Sequence, residues 1–389
     1  MSPYDKPDAA RRKKCVFFSV VVALLIIAAI VGIAVGVPLS RKNVNKDFSA
    51  GSGSGSSGDG ASSKNSPASS GQDPSVFPKN PNLHQSFYGM AYTPVGSQLP
   101  NCGNNLDAVI QDIQLMSQLT KRVRLYGSDC NQSALVLEAI KQTKVDMQVY
   151  LGNYNVATDD DASYNRQKQE IQQVIKTYGT GNIAGVTVGN EYILNYILQN
   201  GGGPANGPAG DQGAALLVPN IEDTRTMLQG MNLDKNILVG NADAGAYFNN
   251  KVLAAIDYGM ANVHPWFGGV AIDDAAQWTM TFFQNQDVQP ADQLPNKPVM
   301  SIAETGWPTD SSDPATKTDG PSDASVENLQ KFLDTFICQA NQAGVPYFYF
   351  ELFDEKWKDE QFGGVEGWWG LFSSDRTLKA ITIPNCQAP

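Results

Sequence analysis

Past roughly the first eighty residues, short apolar runs alternate with longer amphipathic stretches, and this alternation predicts the architecture. Runs rich in Val, Ile, Tyr and Phe fall at 86–93, 122–126, 146–151, 185–189, 236–240, 260–263, 298–303 and 347–351, and each predicts a buried strand. Helical patterns lie between them. The clearest puts Leu329, Phe332, Leu333, Phe336, Ile337 and Ala340 on one face, with Ser322 or Ser325 as N-cap and Gly344 as a stop. Parallel strands need a crossover of a dozen or more residues, usually a helix, so this spacing predicts a parallel sheet with helices outside. Eight such units predict an α/β fold, a closed (β/α)8 TIM barrel over residues 83–389, rather than an open doubly wound sheet. No Gly-x-Gly-x-x-Gly joins a strand to a helix, which removes the main support for a dinucleotide site.

The first eighty residues read differently. Residues 16–39 form an uncharged apolar run, about 35 Å long as a helix and enough to cross a bilayer. Arg11, Arg12, Lys13 and Lys14 precede it, which predicts a cytosolic segment 1–14, a signal-anchor helix over 15–39 and an extracellular remainder; Arg41, Lys42 and Lys46 soften that bias. For a cleaved signal peptide the run is too long and lacks a clean small-residue cleavage site. Ala28, Gly32 and Gly36 recur every four residues, a face on which two such helices could pack as a dimer, and Cys15 marks the inner boundary, a place for palmitoylation. From 40 to 82 the composition turns to Gly, Ser, Asn and Pro, too poor in apolar surface to offset the entropy of ordering, and predicts a flexible tether.

Charge and cysteines narrow the setting. The whole chain carries −11 and its first 46 residues +6, so the remainder carries −17. That acidity excludes a nucleic-acid partner and suits a neutral polymer. Cys102, Cys130, Cys338 and Cys386 form an even set suited to two disulfides in an oxidising compartment. Three connectivities are open, and the favoured one joins sequence neighbours, Cys102 with Cys130 and Cys338 with Cys386. Asn131-Gln132-Ser133 is an N-glycosylation sequon. No cluster has metal-ligand spacing, so neither a metal nor a cofactor is expected.

Two carboxylates stand out against this background. Val186-Thr187-Val188-Gly189-Asn190-Glu191 and Val299-Met300-Ser301-Ile302-Ala303-Glu304 are apolar runs that each close on a glutamate, at the ends of the fourth and seventh strands. In a barrel the strand C-termini converge on the face that carries the active site. Two carboxyl groups suffice to break a glycosidic bond, one protonating the leaving oxygen while the other captures the sugar carbon.

Four segments then carry a resemblance: the run ending Asn190-Glu191; Ala303-Glu304-Thr305-Gly306-Trp307-Pro308; Arg122-Val123-Arg124-Leu125-Tyr126-Gly127-Ser128-Asp129; and Phe350-Glu351-Leu352-Phe353-Asp354-Glu355. In this order they resemble glycoside hydrolase family 17, the endo-β-1,3-glucanases, over about 86–371, and its fungal cell-wall members most. The resemblance implies a retaining mechanism with Glu191 as acid/base and Glu304 as nucleophile. It further implies that Asn190 bonds a 2-hydroxyl, that Arg124 and Glu355 position the nucleophile, and that Lys358 keeps a Glu-x-x-Lys spacing. Tyr92, Tyr126, Trp266, Phe267 and Trp307 are candidates to stack on glucose, and His264, where plant relatives commonly carry Tyr, is a candidate to contact substrate or move a proton. The segment 357–370, with Trp357, Trp368 and Trp369, departs from the plant pattern and either shapes an acceptor site or covers the barrel end.

The leading expectation is a single-pass type II membrane glycoprotein whose extracellular domain cleaves cell-wall β-1,3-glucan. Glucanosyl transfer is the alternative, since a retaining intermediate can be captured by a second sugar. A noncatalytic glucan-binding wall sensor is the reading from another class, and the presence of both glutamates argues against it.

Overall fold

The structure, a computed structural model, describes residues 73–389. Eight strands close into one barrel in which every pair is parallel: β1 Gly89–Ala91, β2 Arg122–Arg124, β3 Gln148–Asn153, β4 Ile183–Asn190, β5 Leu238–Ala244, β6 Tyr258–Asn262, β7 Val299–Thr305 and β8 Tyr347–Tyr349. All eight expected strands are present, with ends moved by up to four residues. Helices follow the strands on the outside, among them α1 Leu106–Met116 after β1, α2 Gln132–Thr143 after β2, α3 Ala162–Tyr178 after β3 and α4 Tyr192–Gln199 after β4. Ser325 rather than Ser322 caps the helix after β7, its hydroxyl accepting from the Asn328 N–H at 3.3 Å.

Two apolar layers form. One lies between strands and helices and takes in most buried side chains, whereas the other fills the lumen with Ala242, Tyr258, Met260, Ala303 and Phe348. Tyr150 meets both Tyr258 and Phe348 edge to face, each at 5.4 Å. Rings fit there because glycines face them: a Cβ at Gly240 would come within 2.3 Å of the Tyr258 ring. The Tyr258 hydroxyl, which cannot be left bare in such a core, shares a 2.8 Å hydrogen bond with Thr187.

Two of the breaks in strand alternation bear on the site. Along β4 and β5, Thr187 pairs with Gly240 but Asn190 with Ala242, so β4 carries one extra residue. Along β6 and β7, Ala261 pairs with Ile302 but Asn262 with Glu304, so β7 carries one extra residue as well. Each is a β-bulge, which re-aims the side chains beyond it. The ladder would otherwise leave Asn190 and Glu304 on the outer face. Gly189 permits the first bulge by taking φ +89°, and the Asn241 side chain satisfies its displaced carbonyl, donating to Val188 O at 2.8 Å.

Away from the strand C-termini, the two ends of the described chain pack on the barrel floor. Pro74 O accepts from Gln114, Asn80 N–H donates to Gln118 Oε1, and Asp73 lies 3.9 Å from Lys144, all near the C-terminal ends of α1 and α2. The expected tether 40–82 is therefore already packed chain from residue 73, because Phe77 and Leu83 break its polar composition; the rest of it, the segment 1–14 and the apolar run 15–39 with Ala28, Gly32 and Gly36 lie outside the described residues. Among the described residues no helix is long and apolar enough to cross a membrane. Disulfides join Cys102 to Cys130 and Cys338 to Cys386, the second fastening the C-terminal segment beside Ser86, whose hydroxyl takes the Cys386 N–H. Asn131 is exposed next to the first disulfide.

One buried group in the outer layer has no polar partner. Asp287, in the wide turn Gln284–Val288 that extends the helix Ile272–Phe283, is fully buried against Gly245, and neither carboxylate oxygen is hydrogen-bonded. Burial alone pushes its pKa up to about 8. The folded state thus keeps a proton that the unfolded chain releases near pH 4, and stability falls as pH rises between these two values. Asp287→Asn is expected to raise Tm at pH 7 relative to the parent, with the gain vanishing near pH 4; an equal difference at both pH values would refute this.

Candidate active site

The mouth of the barrel is built around one cation. Arg124, at the end of β2, is 1% exposed and donates through Nη1 to Glu304 Oε1 at 2.8 Å and through Nη2 to Asn190 Oδ1 at 2.6 Å. Its guanidinium also lies over the Tyr126 ring, 4.3 Å from the centroid. The second oxygen of Glu304 meets His264 Nε2 at 3.0 Å. Both carboxylate oxygens are therefore occupied by nitrogen partners, and Glu304 is 6% exposed. Although burial opposes ionisation, the His264 hydrogen bond and the Arg124 charge hold its pKa down at about 2.

Glu191 stands in the opposite environment. It follows the β4 bulge in a left-handed conformation, φ 52°, uncommon for a residue with a side chain. Its hydrogen-bond donor is the amide of Asn262, at 3.1 Å to Oε1. Burial first, and then the charge of Glu304, push its pKa up to about 7. The strained turn is held from behind by Asp243 at the end of β5. Its carboxylate accepts from Ile193 N at 2.8 Å, Leu194 N at 3.3 Å and Ala244 N at 2.9 Å, so it caps the start of α4 in place of Glu191, which makes no capping bond.

A second buried cluster lies on the chain after β8. Lys358 Nζ reaches Glu351 Oε2 at 2.7 Å and Glu355 Oε2 at 3.2 Å, and sits 4.4 Å from the centre of the Phe350 ring. Burial would lower this lysine, but the two carboxylates hold its pKa up. Burial and the neighbouring Glu355 push Glu351 well up in turn. Lys358 is thus no surface residue. Glu355, expected beside the nucleophile, is turned to Lys358, and no hydrogen bond or ion pair joins it to Glu304.

The aromatic candidates divide. Phe267 is 42% exposed and packs at the mouth against His264, Trp266 and Trp369. Tyr126 lines the same site, its hydroxyl raised well up by burial and by Glu304. Tyr92 and Trp307, expected to stack on sugar, are buried instead, because each polar edge finds a partner outside the barrel. The Tyr92 hydroxyl donates to Asp112 on α1 at 2.6 Å, and Trp307 Nε1 donates to Asp323 O at 2.8 Å with its ring against Phe332. Trp266 is also buried, edge-on to Phe267. In the segment 357–370, Trp369 is the fully buried backing of His264, 5.0 Å between ring centres, and Trp368 O receives Thr309 and Lys379. This segment covers the barrel end and supports the site at once.

Asn262, Asp243, Asn241, Glu351 and Glu366 were not among the residues singled out from sequence. Polar residues at alternate positions near the end of β5, Asn241 and Asp243, carried a usable signal. Glu366, raised by burial and in the field of Lys358, His264 and Glu304, carried none. Among the described residues no group of His, Cys, Asp and Glu is arranged to hold a metal ion.

Known proteins resemble this chain in sequence and fold. The BtgE/BtgC glycoside hydrolase domain matches residues 89–370, most of the chain. The chain belongs to this family. It is 36% identical over 325 residues to the putative glucan endo-1,3-beta-glucosidase btgC of Aspergillus niger, across 79% of this chain and 45% of that protein. The chain therefore spans less than half the length of that curated relative. Among solved structures it is similar to an active-site mutant of the Rhizomucor miehei beta-1,3-glucanosyltransferase in complex with laminaritriose, at 28% identity and TM-score 0.61 over 77% of this chain and 98% of that one. That enzyme is of glycoside hydrolase family 17. An endo-laminarinase from Formosa, 17% identical with TM-score 0.59 over 78% of this chain and 92% of that one, shares the fold.

The unequal holding of the two glutamates can be measured in this family member directly. In His264→Ala, Glu304 loses one of its two donors, and carboxyl-carbon NMR is expected to show it titrating higher by roughly one to three on the pH scale. His264→Gln, which keeps an N–H donor, should move it less. An unmoved titration in both variants would leave Arg124 as the sole group setting it.

Proposed function

We propose that the barrel is a retaining glycoside hydrolase that cleaves internal β-1,3-glucosidic bonds of cell-wall glucan, with Glu304 as nucleophile and Glu191 as acid/base. The observation that carries this reading is the unequal holding of two carboxyl groups at one barrel mouth: Glu304 takes Arg124 on one oxygen and His264 on the other, which holds its pKa down, whereas Glu191 takes the neutral amide of Asn262 and is pushed up by burial and by Glu304. Environments that push two titratable groups apart divide the acid and base roles between them. Glu304 is ionised throughout the working range and free of a proton that would block attack. Glu191 holds a proton near neutrality.

The steps follow. A Glu304 oxygen attacks the anomeric carbon as the glycosidic C–O bond breaks, and the Glu191 proton passes to the departing oxygen. The resulting Glu191 carboxylate then takes a proton from water, whose oxygen attacks the same carbon and releases Glu304. Asn190, fixed by Arg124 on its carbonyl oxygen, keeps its amide N–H groups for the 2-hydroxyl of the reacting sugar. The exposed Phe267 ring at the mouth and the names of the matched relatives favour a neutral β-1,3-glucan. Transfer to a second glucan is the alternative outcome of the same intermediate, and the likeness to the Rhizomucor miehei glucanosyltransferase favours it. A noncatalytic wall sensor would have no need of two carboxyl groups held so differently.

Around this domain we read residues 1–14 as cytosolic, 15–39 as a signal anchor in the cell membrane and 40–72 as a tether that leaves the barrel facing the wall, glycosylated at Asn131. The basic cluster before the apolar run and the two disulfides support that setting.

Incubation with end-labelled laminari-oligosaccharides and sizing of the products decides among the readings. Shorter products alone mean hydrolysis and longer ones mean transfer, while retained binding with unchanged oligosaccharide would sink both. Glu304→Gln is expected to bind but not turn over, with turnover at least about 10⁴-fold down. In the parent, kcat/KM should fall as pH rises through about 7, where Glu191 loses its proton. Glu191→Gln should lose that alkaline limb for aryl glucosides whose leaving group needs no acid.

A further inference from the structure

Asn262 ends β6 between the two glutamates. Its backbone pairs with Ala244 on β5 and with Glu304 on β7, and the next residue, Val263, donates its N–H to Glu304 O at 2.8 Å. Its side chain, 6% exposed, reaches past β5 and gives its amide Nδ2 to Glu191 Oε1 at 3.1 Å. Among the described residues this is the one hydrogen bond that the Glu191 carboxyl makes. Oε2 has no protein partner and is not sealed from solvent, so it is the oxygen left for a substrate. Arg124 on β2, Tyr154 after β3, Asp243 on β5, His264 after β6, Glu304 on β7 and Glu366 after β8 all lie within the field of Glu191. They set how readily it ionises, but none is hydrogen-bonded to it, so none tells its two oxygens apart.

We propose that Asn262 is a positioning residue that keeps the acid proton of Glu191 on Oε2, toward the departing glycosidic oxygen; this rests on the acid/base reading of Glu191 above. A protonated carboxyl carries its hydrogen on one oxygen and offers the other as an acceptor. An amide N–H needs an acceptor, so it occupies Oε1 whether Glu191 is charged or neutral and leaves Oε2 as the seat of the proton. An amide carbonyl in the same place would do the reverse, trapping the proton on Oε1 and repelling the ionised form. Acid and base forms alternate during turnover, and only the N–H suits both. That orientation has a visible cost, since Asn262 Oδ1 is buried without a partner. In the first step the proton on Oε2 passes to the leaving oxygen, and the electron pair stays on a carboxylate whose Oε1 keeps its donor. In the second step the proton taken from water returns to Oε2, because Oε1 is still occupied.

The test compares the full-chain parent with Asn262→Ala and the nearly isosteric Asn262→Asp, each checked by Tm. The substrates are laminarihexaose and 2,4-dinitrophenyl β-laminaribioside, whose leaving group needs no acid. In Asn262→Ala the proton is shared between both oxygens, and kcat/KM for laminarihexaose is expected to fall about 10- to 50-fold. In Asn262→Asp a carboxyl oxygen draws the proton to Oε1, and the fall should reach at least about 100-fold. On the dinitrophenyl substrate both variants should stay within about threefold of the parent. Equal losses on the two substrates overturn the proposal. So does Asn262→Asp outperforming Asn262→Ala on laminarihexaose, the order expected of a side chain that only fills space. If Glu191→Gln itself loses both substrates equally, or the parent cleaves neither, the acid/base reading fails on its own. Carboxyl-carbon NMR of Glu191 then still decides the role of Asn262. In Asn262→Ala the titration should lie roughly 0.5 to 1.5 higher on the pH scale, because the ionised form has lost its donor, and an unmoved titration overturns the assignment.

Discussion

Everything at the mouth of this barrel depends on one guanidinium. Two carboxylates in a closed site cannot both ionise cheaply, and whichever is nearer a fixed positive charge keeps its negative charge. Arg124 makes that choice by binding Glu304, and with its other nitrogen it reaches Asn190 beside Glu191. A single side chain on β2 thereby ties β4 to β7 and gives two chemically identical residues different behaviour. Such an ion pair contributes little net stability, because desolvation of both charges offsets most of their attraction, but removing one partner strands the other and costs about 3–5 kcal/mol. Its value lies in the asymmetry it imposes.

The asymmetry could not exist if the strands were regular. Period-two alternation would point Asn190 and Glu304 away from the lumen, among the helices, and the extra residue in each of β4 and β7 turns them back. These irregularities have local support. Gly189 allows the backbone turn, Asn241 takes the carbonyl that the first bulge displaces, and Asp243 caps the helix that leaves Glu191. Much of what looks like ordinary polar content at the end of β5 is scaffolding for a strained neighbour.

This division explains which features were legible in the sequence. Strand count, closure and the two glutamates follow from apolar runs and their ends, properties that short stretches of chain express alone. The two disulfides agree with the pairing of sequence neighbours. Where a ring points is decided by the partner of its polar edge, and the partners of Tyr92 and Trp307 lie 20 and 16 residues away on other elements. His264 holds Glu304 rather than standing free, and Asn262 reaches Glu191 across 71 residues of chain. Spacing along a strand cannot express a contact whose existence depends on a bulge in the next one. Glu355 illustrates the same point, since its turn toward Lys358 is set by a helix start that alternation does not mark.

The floor of the barrel has a consequence for reach. Residue 73 and the C-terminus both pack there, near the ends of α1 and α2 and the beginning of β2, whereas the site opens at the other pole. Both ends of the described chain therefore lie away from the opening and do not cover it. Neither end of the described residues narrows the approach, so a polymer can meet the site from the far side or lying crosswise.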